Sequence, residues 1–418
     1  MRATTFVLFE EDFMIASPER VHFYLSPTAE PESQPSPDSI HPILRARSRP
    51  ALCGLLVTLL LASPVRAQDG PGTVRSDYAD RRWTPVTAAD GALAGAGLAT
   101  DPASSVYANP ALLLAGPEGL RLSGFVMNPN RDDLRAETVD YEDANGFLGL
   151  GEAAVRFRAR GLGVGAYFSQ PVYEHGESRF IGFNPETGGG GDPFPRTNSF
   201  TSAVRYGGAG VSLRLQSGIL VGGAAEVVLM EEKYESVPQS SGIPADTIDT
   251  DRSFTTFGGA LGVAVPFAGK FLAAGSFRVG GTASDGDASD EAPMVGLVGL
   301  RYGRTAGSQG YAGYRYIGAR DVDLAETGAG PVHANARNEF SGGYAYLEPA
   351  GTWSFRIGGS YSPRPDGADV KLTRFGVGAG YGSEGLRGTL AYSRDSESRA
   401  DGHNSSRNLV LLTVELER

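Results

Sequence analysis

Beyond Glu118 the chain consists of successive segments in which apolar residues alternate one for one with small or polar ones. A period of two sends neighbouring side chains to opposite faces of a strand, whereas an amphipathic helix repeats near 3.6. Leu386, Gly388, Leu390 and Tyr392 oppose Arg387, Thr389, Ala391 and Ser393. Trp353, Phe355, Ile357 and Tyr361 oppose Ser354, Arg356, Gly358 and Ser360, and Phe375, Val377, Ala379 and Tyr381 oppose Arg374, Gly376, Gly378 and Gly380. Fourteen strands are predicted, over 118–128, 151–159, 161–174, 198–214, 218–235, 251–266, 270–283, 291–304, 308–321, 336–348, 351–362, 369–381, 385–397 and 405–416.

Strand length decides between two all-β architectures. Globular strands run about 5 to 6 residues, while a tilted strand needs about 9 to 11 to cross a bilayer. Long strands with one apolar and one polar face predict a transmembrane antiparallel β-barrel of 14 strands, lipid outside and a polar lumen inside. The connections alternate in length, which supports this independently. Short turns fall at Arg160, 216–217, 267–269, 305–307, 349–350 and 382–384; longer links cover 129–150, 175–197, 236–250, 284–290, 322–335, 363–368 and 398–404. Short periplasmic turns, long external loops and an even strand count describe an outer-membrane barrel with both termini in the periplasm. Its expected partners are outer-membrane lipid and the barrel assembly machinery, and it is expected to be a monomer.

Composition changes the picture in four places. Glycine accounts for 58 of 418 residues, roughly twice the usual share, and lies within the alternating segments, as suits tightly packed, curved sheet. Cys53 is the only cysteine, so no disulfide framework or thiolate metal site is expected. His22, His41, His175, His333 and His403 are scattered over expected loops and tails, so neither an enzyme nor a cofactor is indicated. A net charge of −11 without a Lys/Arg cluster argues against a nucleic-acid partner.

Arg45, Arg47 and Arg49 precede an apolar run from Ala51 to Ala62, and Val65-Arg66-Ala67 follows. A basic start, a short apolar run and a small-x-small site describe a secretory signal over 45–67, cleaved near Ala67/Gln68. The run is too short for a membrane-spanning helix. Residues 1–44 show no sustained period and read as an unstructured extension, for which a misassigned start site is the leading explanation. Residues 68–117 are expected to form a hatch, and 118–418 the barrel.

The hatch carries the stretch Asp90-Gly-Ala-Leu-Ala-Gly-Ala-Gly-Leu-Ala-Thr-Asp-Pro-Ala-Ser-Ser-Val-Tyr-Ala-Asn-Pro-Ala. Small residues let a short chain pack closely, and Asp101-Pro102 and Asn109-Pro110 set turns. With fourteen strands behind it, this stretch resembles the hatch of the outer-membrane long-chain fatty acid and aromatic hydrocarbon transporter family (FadL and its toluene-type relatives). The matching positions are Gly95, Gly97, Asp101, Ser104, Ser105, Tyr107, Asn109, Pro110 and Ala111. Leu112-Leu113-Leu114 stands where that family continues with glycine, and the last strand lacks the common terminal aromatic. The resemblance implies passive uptake of a hydrophobic small-molecule ligand, gated by the plug. PorV-like barrels, which serve secretion or act as scaffolds, share much of the pattern and are the alternative.

Two irregularities bear on passage. Pro171 interrupts the third strand, where it can donate no ladder hydrogen bond and marks an edge or bulge. In the fourth strand Phe200, Val204 and Tyr206 differ in parity from Val211, Leu213 and Leu215, so a change of face is expected at Gly207-Gly208. Because the resembled family has a kink in its third strand that opens the wall, a lateral exit near Pro171, Gly207 and Gly208 is expected. Alternation also places Arg156, Arg158, Glu226, Arg278, Arg301, Arg315, Arg356, Arg374 and Arg387 on the lumen face.

Three other signals are weaker. Gly161-Leu-Gly163-Val-Gly165 has no following helix, and Gly188–Gly191 lacks the Lys-Ser/Thr of a phosphate loop. Asp285, Asp287, Asp290 and Glu291 lack calcium-loop spacing and read as a solvated acidic loop, so no metal is expected.

Overall fold

A computed structural model describes residues 83–130, 139–140, 147–183, 193–238, 248–285, 288–303, 306–323, 332–334, 336–363, 371–383, 385–398 and 404–417. The extension, the signal and its cleavage site lie outside the described residues. Fourteen strands form the wall: β1 (Gly119–Asn130), β2 (Phe147–Ala159), β3 (Leu162–Phe183), β4 (Pro193–Arg214), β5 (Leu220–Pro238), β6 (Ile248–Phe267), β7 (Phe271–Gly280), β8 (Val295–Gly303), β9 (Gly307–Ile317), β10 (Arg337–Leu347), β11 (Trp353–Pro363), β12 (Lys371–Ser383), β13 (Leu386–Ser398) and β14 (Asn404–Glu417). Each pairs antiparallel with its neighbours in sequence, and β14 pairs with β1 from Gly119↔Glu417 to Asn130↔Ser406, closing a barrel.

Closure removes the sheet edges that lipid cannot satisfy. The two faces divide as alternation requires. On β14, Val410, Leu412 and Leu416 are exposed on the outside, while Leu409, Leu411 and Thr413 are buried inside. At the short-turn end the outer face carries aromatics: Trp353 lies against Tyr381 at 4.7 Å, and Phe271 sits between Phe267 and Tyr302. Such a girdle suits a membrane interface.

The long links are shorter than expected on one side of the barrel. β3 and β4 run 22 residues each, with pairing continuing to Phe183↔Pro193, and β5 and β6 run 19 and 20. These outer extensions lack an apolar stripe, so sequence patterning treats them as loop, yet cross-strand pairing carries them on. His175 accordingly belongs to β3 rather than to a loop. Beyond β7 the chain breaks at Gly281, and four short segments, Thr282–Asp285, Ala288–Glu291, Arg320–Asp323 and Val332–Ala334, make a separate rim sheet. His333 lies in the last of these.

The change of face expected in β4 does not occur. Val204, Tyr206, Gly210 and Ser212 all point inward, Val211 and Leu213 point outward, and the register with β5 runs unbroken from Arg196↔Pro238 to Arg214↔Leu220. What changes along β4 is the chemistry of the lumen. Val172, Val204, Tyr206, Val228, Met230 and Phe254, from β3 to β6, form an apolar inner patch where a polar lumen was expected.

Residues 83–116 pack inside the barrel. They comprise helix α1 (Ala88–Ala92), a 3-10 helix (Pro110–Leu114) and the turns between. Glycines on many strands let this segment lie directly on the wall. A Cβ at Gly151, Gly222, Gly262, Gly313, Gly358 or Gly376 would meet hatch backbone at 3.1 Å or less. Much of the chain's glycine therefore serves the hatch as well as barrel curvature.

Candidate functional site

Local chemistry folds the hatch. Thr87 caps α1 through a capping box: its Oγ1 accepts from the Asp90 amide, and Asp90 Oδ2 accepts from the Thr87 amide. Gly95, at φ +88°, ends that turn in the left-handed region. Gly97 leaves no room for a side chain beside Leu93 and Asp101. Asp101 Oδ1 accepts from the Ala103 amide at 3.0 Å, the Asx turn expected of Asp-Pro. Asn109 caps the 3-10 helix, its Oδ1 accepting from Ala111 N and its Nδ2 donating to Ala99 O, both at 3.0 Å, with Pro110 at the first helical position. Ala111 is fully buried against Gly222. The departure Leu112-Leu113-Leu114 fits this wall, since Leu113 fills the space above Gly165 and Gly210.

Charged side chains of the wall then hold the hatch. Ser105 Oγ donates to Glu152, which also accepts from Ser169 at 3.1 Å, while Ser105 N donates to Asp90 Oδ1 at 3.4 Å. Arg121 pairs with Glu415 at 2.5 Å and donates to the carbonyl of Ser104 at 2.6 Å. Arg156 donates to the Pro102 carbonyl at 3.1 Å. Arg278 grips Glu226 through Nε and Nη2 at 2.8 and 2.9 Å, donates to the Tyr107 carbonyl, and lies 3.6 Å over the Tyr107 ring. Tyr167 Oη donates to Glu226 as well. Arg356 approaches Asp101 at 3.5 Å, and Arg301 reaches the Thr100 carbonyl at 3.5 Å. Burial, with the Glu152 carboxylate nearby, pushes the Asp90 carboxyl up to about 6.

Of the nine positions expected to face inward, Arg156, Glu226, Arg278, Arg315, Arg356 and Arg374 are buried, Arg301 and Arg387 are half-buried, and Arg158 is exposed at the short-turn end. Sequence reasoning missed Asp90, Arg121, Glu152, Glu339, Asp395, Arg407 and Glu415. Cross-strand register was the signal that could have found most of these. Arg121 stands opposite Glu415, Arg315 opposite Glu339, and Asp395 opposite both Arg374 and Arg407.

Beside the hatch the wall has a seam. The β2–β3 ladder ends at Glu152↔Ser169, although β2 continues outward along β1 to Phe147↔Met127. Two register slips meet at this height, one at Gly151 on β2 and one over Gln170-Pro171 on β3. On its other side β3 stays paired, with Tyr167↔Gly208 and Phe168↔Gly207 intact. At Pro171 the ladder to β2 has therefore ended, while the ladder to β4 carries a bulge of Gln170-Pro171 opposite Arg205, and Gly207 and Gly208 are regular ladder positions.

The start of the hatch occupies that seam. Trp83 forms an isolated bridge to Val172, and Thr84 N donates to the Pro171 carbonyl at 2.6 Å. The Trp83 carbonyl accepts from Arg374 at 2.5 Å and Arg407 at 3.2 Å, and Asp395 pairs with both arginines. The Trp83 ring stacks on Tyr107, which in turn contacts Tyr206 at 4.9 Å. A narrow cavity lined by Trp83, Leu98, Tyr107, Pro171 and Leu297 remains, with room for little more than water. The hatch fills the lumen at this level.

No protein-family model and no curated protein matches the sequence. Solved structures do resemble the fold. The CymD monoaromatic hydrocarbon channel shares 12% identity at a TM-score of 0.56, over 81% of this chain and 99% of that one. A Pseudomonas aeruginosa FadL homologue shares 12% at 0.57, over 81% and 99%. The Ralstonia pickettii toluene transporter TbuX shares 16% at 0.57, over 79% and 98%. The chain has the fold of these proteins.

Proposed function

We propose that the protein is an outer-membrane channel for passive uptake of hydrophobic small molecules, long-chain fatty acids or aromatic hydrocarbons, gated by its hatch. The observation that carries this reading is the apolar inner patch of Val172, Val204, Tyr206, Val228, Met230 and Phe254, which leads to the seam beside Pro171. A water-filled porin has a polar lumen. An apolar track suits a cargo that leaves water for a greasy wall and enters the bilayer sideways, without crossing the periplasm. Lateral exit between β2 and β3 gives such a cargo that route once Trp83 and Thr84 withdraw.

Channels of the same fold support the reading, since CymD is a monoaromatic hydrocarbon channel and TbuX a toluene transporter. The test is uptake of radiolabelled toluene and oleate by cells lacking their own channels, with and without this protein. Expression is expected to raise the rate for at least one of them. Equal rates for both, with folded protein in the membrane, overturn the proposal in favour of a secretion-linked or scaffold barrel.

A further inference from the structure

The short-turn end carries charge of one sign along half its circumference. Arg158, Arg160, Arg214 and Lys270 are exposed there, Arg301 is half-buried, and none of the first four has an ion-pair partner among the described residues. No Asp or Glu occurs in 153–173, 203–225, 253–284 or 292–320, the hairpin segments that carry these cations, although the chain has a net charge of −11. The four turns adjoin one another. Arg214 N donates to the Gly161 carbonyl at 2.9 Å, Gly218 lies against Pro266, and Gly303 N donates to the Lys270 carbonyl at 2.9 Å. Beyond them the rim mixes signs, with Glu348 at the next turn, Arg387 at the one after, and Glu118 and Glu417 near the β1–β14 closure.

Direction and size say what such an arc fits. Arg158, Arg214 and Arg301 share the lumen-facing parity of their strands, while Phe157, Leu213, Leu215 and Tyr302, at the same level, face outward and are about half-exposed. The cations therefore border the aqueous mouth, and the bilayer meets apolar groups. Eight strands at a spacing of about 4.8 Å, tilted near 40°, spread the arc over something on the order of 40 Å. That exceeds any small anion and matches a protein footprint.

We propose that this basic arc is the docking face for an acidic periplasmic protein. Uniform charge steers such a partner and orients it over the mouth of the barrel, with an attraction that salt screens. The proposal rests on the uptake reading only for which end faces the periplasm.

The experiment uses the full chain in nanodiscs of zwitterionic lipid and a fluorescent poly-L-glutamate as the probe. Binding is expected, weakening steeply between 50 and 500 mM salt, as roughly estimated from Debye screening. Combined R158E, R160E, R214E and K270E substitutions are expected to weaken it at least tenfold while leaving the heat-modifiable mobility of the folded barrel unchanged. Undiminished binding by that variant overturns the proposal. So does a failure to bind poly-L-glutamate alongside charge-dependent association with phosphatidylglycerol vesicles, which assigns the arc to lipid. Maleimide labelling of an S217C variant in intact cells tests orientation separately: labelling from outside defeats the periplasmic assignment and leaves the uptake assay untouched.

Discussion

The guanidinium of Arg374, on β12, donates to the main-chain carbonyl of Trp83 at 2.5 Å, so the far wall of the barrel fastens the residue that closes the β2–β3 seam. Asp395 pairs with Arg374 at 2.6 Å and with Arg407 at 2.7 Å, holding both donors in place. A neutral residue at either arginine removes one clamp arm. Arg407→Leu keeps the Arg374 arm and is expected to raise hydrogen exchange at the Thr84 amide at least tenfold and to speed toluene uptake. Exchange at wild-type rates excludes the clamp.

Loss of Glu226 acts on the other end of the hatch. Its removal leaves Arg278 buried beneath Tyr107 without a counter-charge, a defect that costs about 3–5 kcal/mol. Both Glu226→Ala and Glu226→Gln remove that charge, but Gln keeps an acceptor oxygen for Tyr167 and Arg278, so Glu226→Ala is expected to be the more damaging. Thermal scans of the purified barrel, following proteolysis of the hatch, measure the difference.

Asp90 makes the packing of the hatch depend on pH, with acid favouring it. Its carboxyl titrates near 6 when packed, against 3.8 when free, so the packed hatch holds the proton more tightly than the released one. Above pH 6 the buried charge therefore opposes packing, by about 3 kcal/mol for a shift of some two units. That penalty fades as pH falls through 6 and is gone below 4. Protease release of the hatch is expected to slow from pH 8 to pH 5, and Asp90→Asn is expected to flatten the profile. An equal pH dependence in the variant refutes the role of Asp90.

Close backbone approach gives a steric prediction. A Cβ at Gly222 would lie 2.6 Å from the Ala111 nitrogen and the Pro110 carbonyl, whereas one at Gly388 meets nothing within 4 Å. Gly222→Ala is expected to displace the 3-10 helix at a cost of about 1–3 kcal/mol, while Gly388→Ala is silent. Denaturation midpoints compare the two.

Pro171 tests the seam directly. Pro171→Ala restores a ladder donor on β3, and the pairing with β2 is expected to extend past Ser169, slowing uptake severalfold while leaving stability unchanged or higher. Unchanged uptake in a folded variant removes the support for lateral exit.

Alternation made the strands legible because lipid outside and lumen inside impose opposite chemistries on successive residues. It failed where that contrast fades. The outer parts of β3 to β6 lie beyond an apolar band, and the inner face of β4 is itself apolar, so Val204 and Tyr206 looked like lipid-facing residues. The turns at Asp101 and Asn109 were readable from local chemistry. Trp83 was not, because its role depends on the gap left by β2 and on arginines about three hundred positions away. Charged partners such as Arg121 and Glu415 become visible only once register is known.

The placement of α1 also bears on assembly. Its first amide, at Ala88, donates to Thr413 Oγ1 of β14 at 2.8 Å, and Gly91 lies against Leu411 of the same strand. Part of the hatch's seat is thus supplied by a strand that follows it by 325 positions. Pairing β14 with β1 completes the wall and this part of the seat together.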